Sequence, residues 1–307
     1  MRLWVFEEWR VGVSLLDDPD WLVDVSDMVA GTGSWPPVHI NALLADWDHM
    51  GPALRQAAQN PEPSRRFRIA DLRLRPVVPW PSKIVAAPVN YRQHQQELLA
   101  VGGVYAGQDI KTVLDYGLFL KAPSSLVGHG GTVELPLDGR RTDHEAEIAV
   151  VMGRTAKDVP PHEAMHYVAG FSGLIDFTVR GPEDRPFRKS FDGFTPLGPC
   201  LVTPDEVPDL GRWHLSLTVN GEVRQDGSTE RMILDFARLV SLASCGTTLF
   251  PGDIIASGTP EGIGPVEPGD RVELVVDHIG RLAVTVKAPE TDRAGILGIW
   301  SAPFQNR

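Results

Sequence analysis

Cysteine is almost missing from this 307-residue chain: Cys200 and Cys245 are the only two. With no CxxC or CxxH pairing, neither a disulfide framework nor a zinc site is encoded. Such usage fits a reducing compartment, and the cytoplasm is the expected location. Basic charge is also in short supply. The 29 Lys and Arg against 40 Asp and Glu leave a net charge of -11. This argues against nucleic acid or an anionic membrane as the main partner and leaves a small metabolite as the default. No apolar run approaches the ~20 residues of a transmembrane helix. The amino-terminal Met1-Arg-Leu-Trp-Val-Phe-Glu-Glu8 carries acids where a signal peptide would be apolar, so a soluble, unprocessed protein is expected. There is no Walker motif, no GxGxxG, no internal repeat and no low-complexity tract, which leaves a nucleotide-binding enzyme without support.

What is present is a chain long enough for one large domain and a small appendage. Residues 1–75 read as a small amino-terminal domain: short apolar runs at Leu3 to Phe6, Val11 to Leu16 and Trp21 to Val25, then an amphipathic stretch from Asn41 to Ala58 suited to one or two helices. It holds five of the eight Trp and no grouping of His with acids, so packing or capping is its expected role. A linker is placed at Arg75-Pro-Val-Val-Pro-Trp-Pro-Ser82, whose prolines remove backbone donors. Residues 76–288 follow as short β-like runs between Gly/Pro turns, with helices expected only at Arg92 to Leu99, Pro161 to Tyr167 and Thr229 to Ser244. Strands and helices do not alternate regularly, so the fold class is α+β and β-rich rather than Rossmann-like. One hairpin is marked by Asn220-Gly221 within His214 to Gln225. Residues 289–307 form a polar tail with an isolated Ile296-Leu-Gly-Ile-Trp-Ser301, read as a docking strand or a disordered end.

The chemistry starts from two acids on a strand that ought to be buried. In His144-Glu-Ala-Glu-Ile-Ala-Val-Val-Met152, alternation puts Glu145 and Glu147 on one face with Ala149 and Val151 beyond them. Close, dehydrated anions must be protonated, paired with a base or bound to a metal. In Gly173-Leu-Ile-Asp-Phe-Thr-Val-Arg180 the same period places Asp176, Thr178 and Arg180 together. Three carboxylates from two strands suit a hard divalent cation such as Mg²⁺ or Mn²⁺.

Three further elements carry a local chemical reading beside an ordinary one. His94 and Glu97 face each other if a helix begins near Arg92; the carboxylate would then fix the imidazole tautomer and raise its basicity, although a solvated surface pair has the same spacing. Lys189, downstream of Asp176, could stabilise an oxyanion or enolate, or be a plain loop cation. In Ser257-Gly-Thr-Pro-Glu-Gly-Ile-Gly264, backbone amides and the Thr259 hydroxyl could hold a carboxylate, or simply turn the chain.

Taken in order, these segments resemble the fumarylacetoacetate hydrolase family over about residues 83–286. The resemblance is carried by Lys83-Ile-Val with Asn90 to Glu97, Leu118-Phe-Leu-Lys-Ala-Pro-Ser-Ser-Leu-Val-Gly128, Asp143 to Arg154, Lys189-Ser-Phe-Asp192, Pro196-Leu-Gly-Pro199, Asn220-Gly-Glu222 with Gln225, and Pro251 to Ile255 with Gly258 to Gly262. It implies rolled mixed β-sheets, a small amino-terminal domain and a homodimer. It implies that Glu145, Glu147 and Asp176 ligate Mg²⁺ or Mn²⁺, that His94 and Glu97 activate water, and that Lys189 stabilises the enolate or oxyanion. Arg180, Gly258 and Thr259 are the substrate contacts it implies. The expected reaction is hydrolysis of a carbon-carbon bond in a 3-acylpyruvate-type diketo acid. Alternatives on the same site are decarboxylation, isomerisation or hydration of 2-oxo or 2-hydroxy-dienoic acids in aromatic catabolism; a non-catalytic 2-oxo acid binding protein is more remote. The chain departs from the family pattern at Pro88 and at Gly181-Pro182-Glu183. Glu183, standing where many members carry an amide, is expected to repel an anionic distal group on the substrate.

Overall fold

The computed structural model describes residues 1–28, 39–100, 110–137 and 139–290. The apolar 296–301 stretch and nearly all of the tail therefore lie outside the described residues. The centre of the molecule is an eleven-stranded mixed sheet. Its middle is built from β10 (Ala146–Met152), β11 (Val168–Ile175) and β13 (Thr195–Val202), paired antiparallel. Beyond β13 lie β1 (Arg2–Phe6), β2 (Arg10–Ser14), β3 (Trp21–Asp24) and β4 (Arg66–Arg68). Beyond β10 lie β16 (Ile254–Ala256), β5 (Ile84–Ala86) and β6 (Phe119–Lys121). β7 (Leu126–Val127) pairs alongside β13.

Alternation along β10 explains its unbroken apolar reading. Ile148, Val150 and Met152 belong to a core shared with Phe171, Leu217 and Leu274, whereas Ala149 and Val151 belong to a second core with Val5, Leu44 and Leu54. The strand is buried on both faces, so neither face calls for polar residues. The second core is covered by α1 (His39–Ala45) and α2 (Trp47–Gln59), the two-helix solution for the amphipathic 41–58 stretch. The first core is covered by α6 (Phe236–Gly246) and a five-stranded sheet: β14 (His214–Val219), β15 (Glu222–Ser228), β18 (Arg271–Val276), β19 (Gly280–Lys287) and β8 (Thr132–Glu134). The β14–β15 turn is the expected Asn220-Gly221 pair, with φ of 53° and 82°. The mixed-sheet α+β architecture agrees with the expected fold class.

Two helices are shorter than expected. Asp235 accepts from the amide of Arg238 at 2.8 Å and starts α6 there, so the preceding Thr229–Arg231 forms only a 3₁₀ turn. Pro160 and Pro161 lack amide donors, and the helical part of 161–167 is confined to the 3₁₀ turn Ala164–Tyr167. Because β1 pairs with β13, the amino-terminal strands share the central sheet. We propose the division near residue 75 as one of role, capping before it and chemistry after it.

Candidate active site

Both acid-bearing strands break at the acid. β9 (Thr142–His144) and β10 are separated by Glu145, and β11 and β12 (Thr178–Val179) by Asp176 and Phe177. At its break each chain crosses between the central sheet and a three-stranded one, entering the central sheet after Glu145 and leaving it after Ile175; in the smaller sheet β9 pairs with β12 and with β17 (Gly264–Pro265). The switch keeps the two acids opposite each other: Ala146 pairs with Ile175, and the amide of Asp176 donates to the Glu145 carbonyl at 2.8 Å. Glu147, paired with Leu174, lies diagonal to Asp176. As a result, one oxygen from each of Glu145, Glu147 and Asp176 lies within 4.8 Å of the others, and all three side chains are buried.

The surrounding charges are arranged with the same economy of space. Lys189 Nζ donates to Glu145 Oε2 and Asp176 Oδ2, both at 2.7 Å, and to Thr178 Oγ1 at 2.6 Å, which uses all three ammonium donors. Lys121 is buried, donates to Asp176 Oδ1 and reaches the Phe194 carbonyl at 3.2 Å. Arg180 bridges Asp143 Oδ2 at 2.7 Å and Glu145 Oε1 at 3.0 Å. Burial alone would favour the neutral form of Glu145, but Lys189 and Arg180 outweigh it and hold the carboxyl well below its ordinary range. Glu147 goes the other way. Burial, with repulsion from Asp176 and Glu145, lifts it well above the usual carboxylate range, against the pull of Lys189 and of the Gly258 amide. Burial also lowers Lys121, whereas for Lys189 burial is overcome by Asp176 and Glu145, and its pKa rises. A carboxylate pushed towards its protonated form by neighbouring carboxylates is a natural place for a divalent cation to replace the proton. Three buried oxygen donors of this kind fit Mg²⁺ or Mn²⁺ and lack the nitrogen or sulfur ligands of a zinc site.

Two loops close the site, delivered by parallel neighbours. β5 and β16 run side by side, so the segments after them, 87–91 and 257–263, emerge at the same edge. Asn90 ties them: its Nδ2 donates to the Ser257 carbonyl at 2.8 Å and the Leu234 carbonyl at 2.9 Å. Gly258 has φ of 85°, and a Cβ there would lie 2.7 Å from Asn90 Cβ. Only glycine fits that approach, and its amide donates to Glu147 Oε2 at 2.8 Å. Gly258, an expected substrate contact, thus directs its amide to Glu147. Thr259 lines the pocket and accepts from Gln225 Nε2 at 2.8 Å, which leaves the hydroxyl proton free to point elsewhere.

The helix expected at Arg92 is α3 (Arg92–Ala100), and it brings His94 and Glu97 together as its spacing requires. His94 Nδ1 is 3.0 Å from Glu97 Oε2, and Glu97 Oε1 accepts from the Gly262 amide at 3.0 Å. With Nδ1 engaged by a carboxylate, the other ring nitrogen is the one available as a base. His94 is buried and lines the same pocket as Glu145, Glu147, Asp176 and Lys189. Among the described residues, then, the three expected metal ligands, His94 and Lys189 converge, with Arg180 and Thr259, on one pocket, while Glu97 reaches it only through His94. Lys121, Asp143, Thr178 and Gln225 were given no role from the sequence. Asp143 shares the alternation of Glu145 and Glu147, and Lys121 is a lone charge between Leu118-Phe-Leu and Ala-Pro, so both left a signal.

The repulsion expected of Glu183 does not arise. Arg140 donates to both of its oxygens, at 2.7 and 2.9 Å, and that hydrogen-bonded ion pair, despite some burial, holds the carboxyl below its usual range and offsets its charge.

Comparison with known proteins supplies independent context. The family model described as fumarylacetoacetate (FAA) hydrolase C-terminal matches residues 83–287. A maleylpyruvate hydrolase of Aquipseudomonas alcaligenes is 43% identical over 299 residues, covering 94% of this chain and 100% of that protein. The crystal structure of a maleylpyruvate hydrolase from Sphingobium sp. SYK-6, in complex with manganese(II) and pyruvate, is 36% identical with a TM-score of 0.80, covering 94% of this chain and 100% of that one. A 4-hydroxyphenylacetate degradation bifunctional isomerase/decarboxylase of Salmonella dublin is 37% identical over 221 residues, 69% of this chain and 49% of that protein.

Proposed function

This chain belongs to the fumarylacetoacetate hydrolase family, and from that membership we propose that it is a Mg²⁺- or Mn²⁺-dependent hydrolase of a carbon-carbon bond in 3-acylpyruvates, with maleylpyruvate the first substrate to try. The observation that carries the proposal is the convergence of the carboxylate cluster with a carboxylate-oriented histidine in one pocket. Glu145, Glu147 and Asp176 would hold the cation, which when bound supplies Lewis-acid polarisation of the substrate's 2-oxo group.

The remaining work falls to the chain's own side chains. His94, its tautomer fixed by Glu97, takes a proton from water as the water oxygen bonds to C4 of the acylpyruvate. The C3–C4 bond then breaks, its electron pair stays with C3, and protonation of C3 completes pyruvate while C4 leaves as a carboxylic acid. Lys189 would stabilise negative charge developing on oxygen. To do so it must release at least one of its three present acceptors, which becomes easier once a cation shares the charge of Glu145 and Asp176. Thr259 would donate its free hydroxyl proton to the substrate's carboxylate, and Arg180, anchored on Asp143 and Glu145, adds positive potential beside it.

The isomerase/decarboxylase relative makes those reactions the second reading. The His94–Glu97 pair favours the first, because it equips the site to activate water. The test is product analysis on maleylpyruvate, acetylpyruvate, oxaloacetate and a 2-hydroxydienoate, with Mn²⁺ and again with EDTA. Metal-dependent release of pyruvate with a free acid supports hydrolysis; carbon dioxide or an isomerised dienone transfers the same site to the second reading. A homodimer and a cytoplasmic location complete the proposal. The first follows the family resemblance and is read by light scattering. The second is consistent with the free Cys200 and Cys245, and among the described residues no helix is long and apolar enough to cross a membrane.

A further inference from the structure

Besides Arg180 and Lys189, two cationic side chains line the pocket with no part in the reaction described above: Arg185 and Arg188. Both come from the single turn α5 (Arg185–Arg188), where a spacing of three puts them on one face. Arg185 lays its guanidinium over the Tyr116 ring, 4.3 Å from the centroid, beside the pocket. Arg188 is only 7% exposed. Its Nε donates to the Glu183 carbonyl at 3.1 Å, and its buried Nη1 meets no acceptor among the described residues.

A guanidinium has five donors, no acceptor, and cannot shed its charge in a protein. Leaving one of those donors buried and unpaired is costly unless a ligand supplies the acceptor. The neighbouring acids are already engaged. Glu183 is held by Arg140, Asp143 by Arg141 and Arg180, and Asp176 by the two lysines. At the 2-oxo acid end, the substrate is provided for by the carboxylate cluster, Lys189 and Thr259. The unused donor of Arg188 therefore matches an anion elsewhere on the ligand.

We propose that Arg188 is a specificity-determining residue that receives a second carboxylate, distal to the 2-oxo acid group, so that the chain selects dicarboxylic acylpyruvates over monocarboxylic ones. This rests on the acylpyruvate reading above. Charge-assisted, fork-shaped pairing is the strongest recognition a carboxylate can be offered by a side chain, and a site built for it rejects the analogue that leaves the donor unpaired.

The test uses two ligands of equal length that the enzyme does not cleave, 2-oxoheptanedioate and 2-oxoheptanoate, titrated calorimetrically into the Mn²⁺-loaded protein. The wild type should prefer the dicarboxylate by about tenfold or more, as expected for a buried charged hydrogen bond. Arg188→Met should abolish most of that preference, and Arg188→Lys, which keeps the charge but loses the fork, should retain part of it. Circular dichroism and Mn²⁺ titration establish that each variant is folded and loaded. If Arg188→Met does not fold, Arg188→Lys decides, with a several-fold drop in the ratio expected. No preference in the wild type, or an unaltered ratio in a folded variant, overturns the assignment. So does an equal loss of both ligands, which would put Arg188 on the proximal carboxylate. Because neither ligand turns over, these outcomes are independent of whether acylpyruvates are hydrolysed; absence of that hydrolysis would count against the function alone.

Discussion

The amide of Asp176 donates to the carbonyl of Glu145 at 2.8 Å, clipping together two strands at the point where each leaves one sheet for another. That backbone contact fixes the separation of two carboxylates before any side-chain interaction is counted. Glu147 is then added from the regular part of β10, and its Oε2 is held by the Gly258 amide. The cluster is a product of sheet topology, and its charges are compensated by residues that the same topology brings in.

Glu147→Gln should weaken Mn²⁺ binding by more than the roughly 10–100-fold typical of losing a residue that merely supports a ligand. The fold should survive. In the metal-free protein Glu147 is pushed towards its neutral form, which the amide resembles in shape, and Gln can still accept from Gly258. Metal titration with thermal unfolding as a control checks both halves; unchanged affinity would remove Glu147 from the ligand set.

Mn²⁺ binding should release protons, and its affinity should rise with pH. Burial and the nearby Asp176 and Glu145 raise the metal-free pKa of Glu147, and the cation needs the carboxylate, so below that raised value binding must displace a proton. The same shift has a sign for folding. The native state holds this proton more tightly than the unfolded chain, so this group's contribution to metal-free stability is present below its unfolded pKa of about 4.3 and is lost as pH climbs through the raised folded value. Calorimetry in buffers of different ionisation enthalpy measures the protons released; no release, and no rise of affinity with pH, across the pH range in which the protein stays folded would contradict the account.

His94→Ala should lower kcat by about 10²–10⁴-fold, the usual worth of a positioned general base, with little effect on Mn²⁺ affinity. Glu97→Gln should have a smaller effect on kcat and alter the pH profile, since the amide can hold the ring but no longer supports its positive charge. A His94→Ala enzyme with full turnover would end the water-activating assignment.

Lys121→Met should destabilise the metal-free protein by about 3 kcal/mol, because it removes one of two ammonium partners from buried Asp176. Saturating Mn²⁺ should restore a large part of the loss by supplying the charge in another form. The comparison is the difference in Tm with and without metal. Equal losses in both would mean that Lys121 acts through packing and its bond to the Phe194 carbonyl.

Much of the site was legible in the sequence because it depends on short-range periodicity. Period-two alternation grouped Glu145 with Glu147 and Asp176 with Thr178, and helical spacing paired His94 with Glu97. The sheet switch at Glu145 and Asp176 was not legible, since an alternating run has the same pattern whether it continues in one sheet or crosses to another. Lys121 left a trace as an isolated charge in an apolar run, but its partner is set by tertiary placement rather than by spacing. Glu183 was misread for the same reason: its charge is offset by Arg140, 43 positions earlier, and no local pattern links them. Gly258 looked like an anion-binding turn, and its amide does bind a carboxylate, the chain's own Glu147.

The most direct test of the account is turnover of maleylpyruvate by the Mn²⁺-loaded enzyme in ¹⁸O-labelled water, with products resolved by mass spectrometry and a parallel sample in EDTA. The account predicts pyruvate and maleate in equal amounts, label in the newly formed carboxylate of maleate, and no turnover once the metal is chelated. Cleavage that persists in EDTA, or products that carry no label in the released acid, would contradict it.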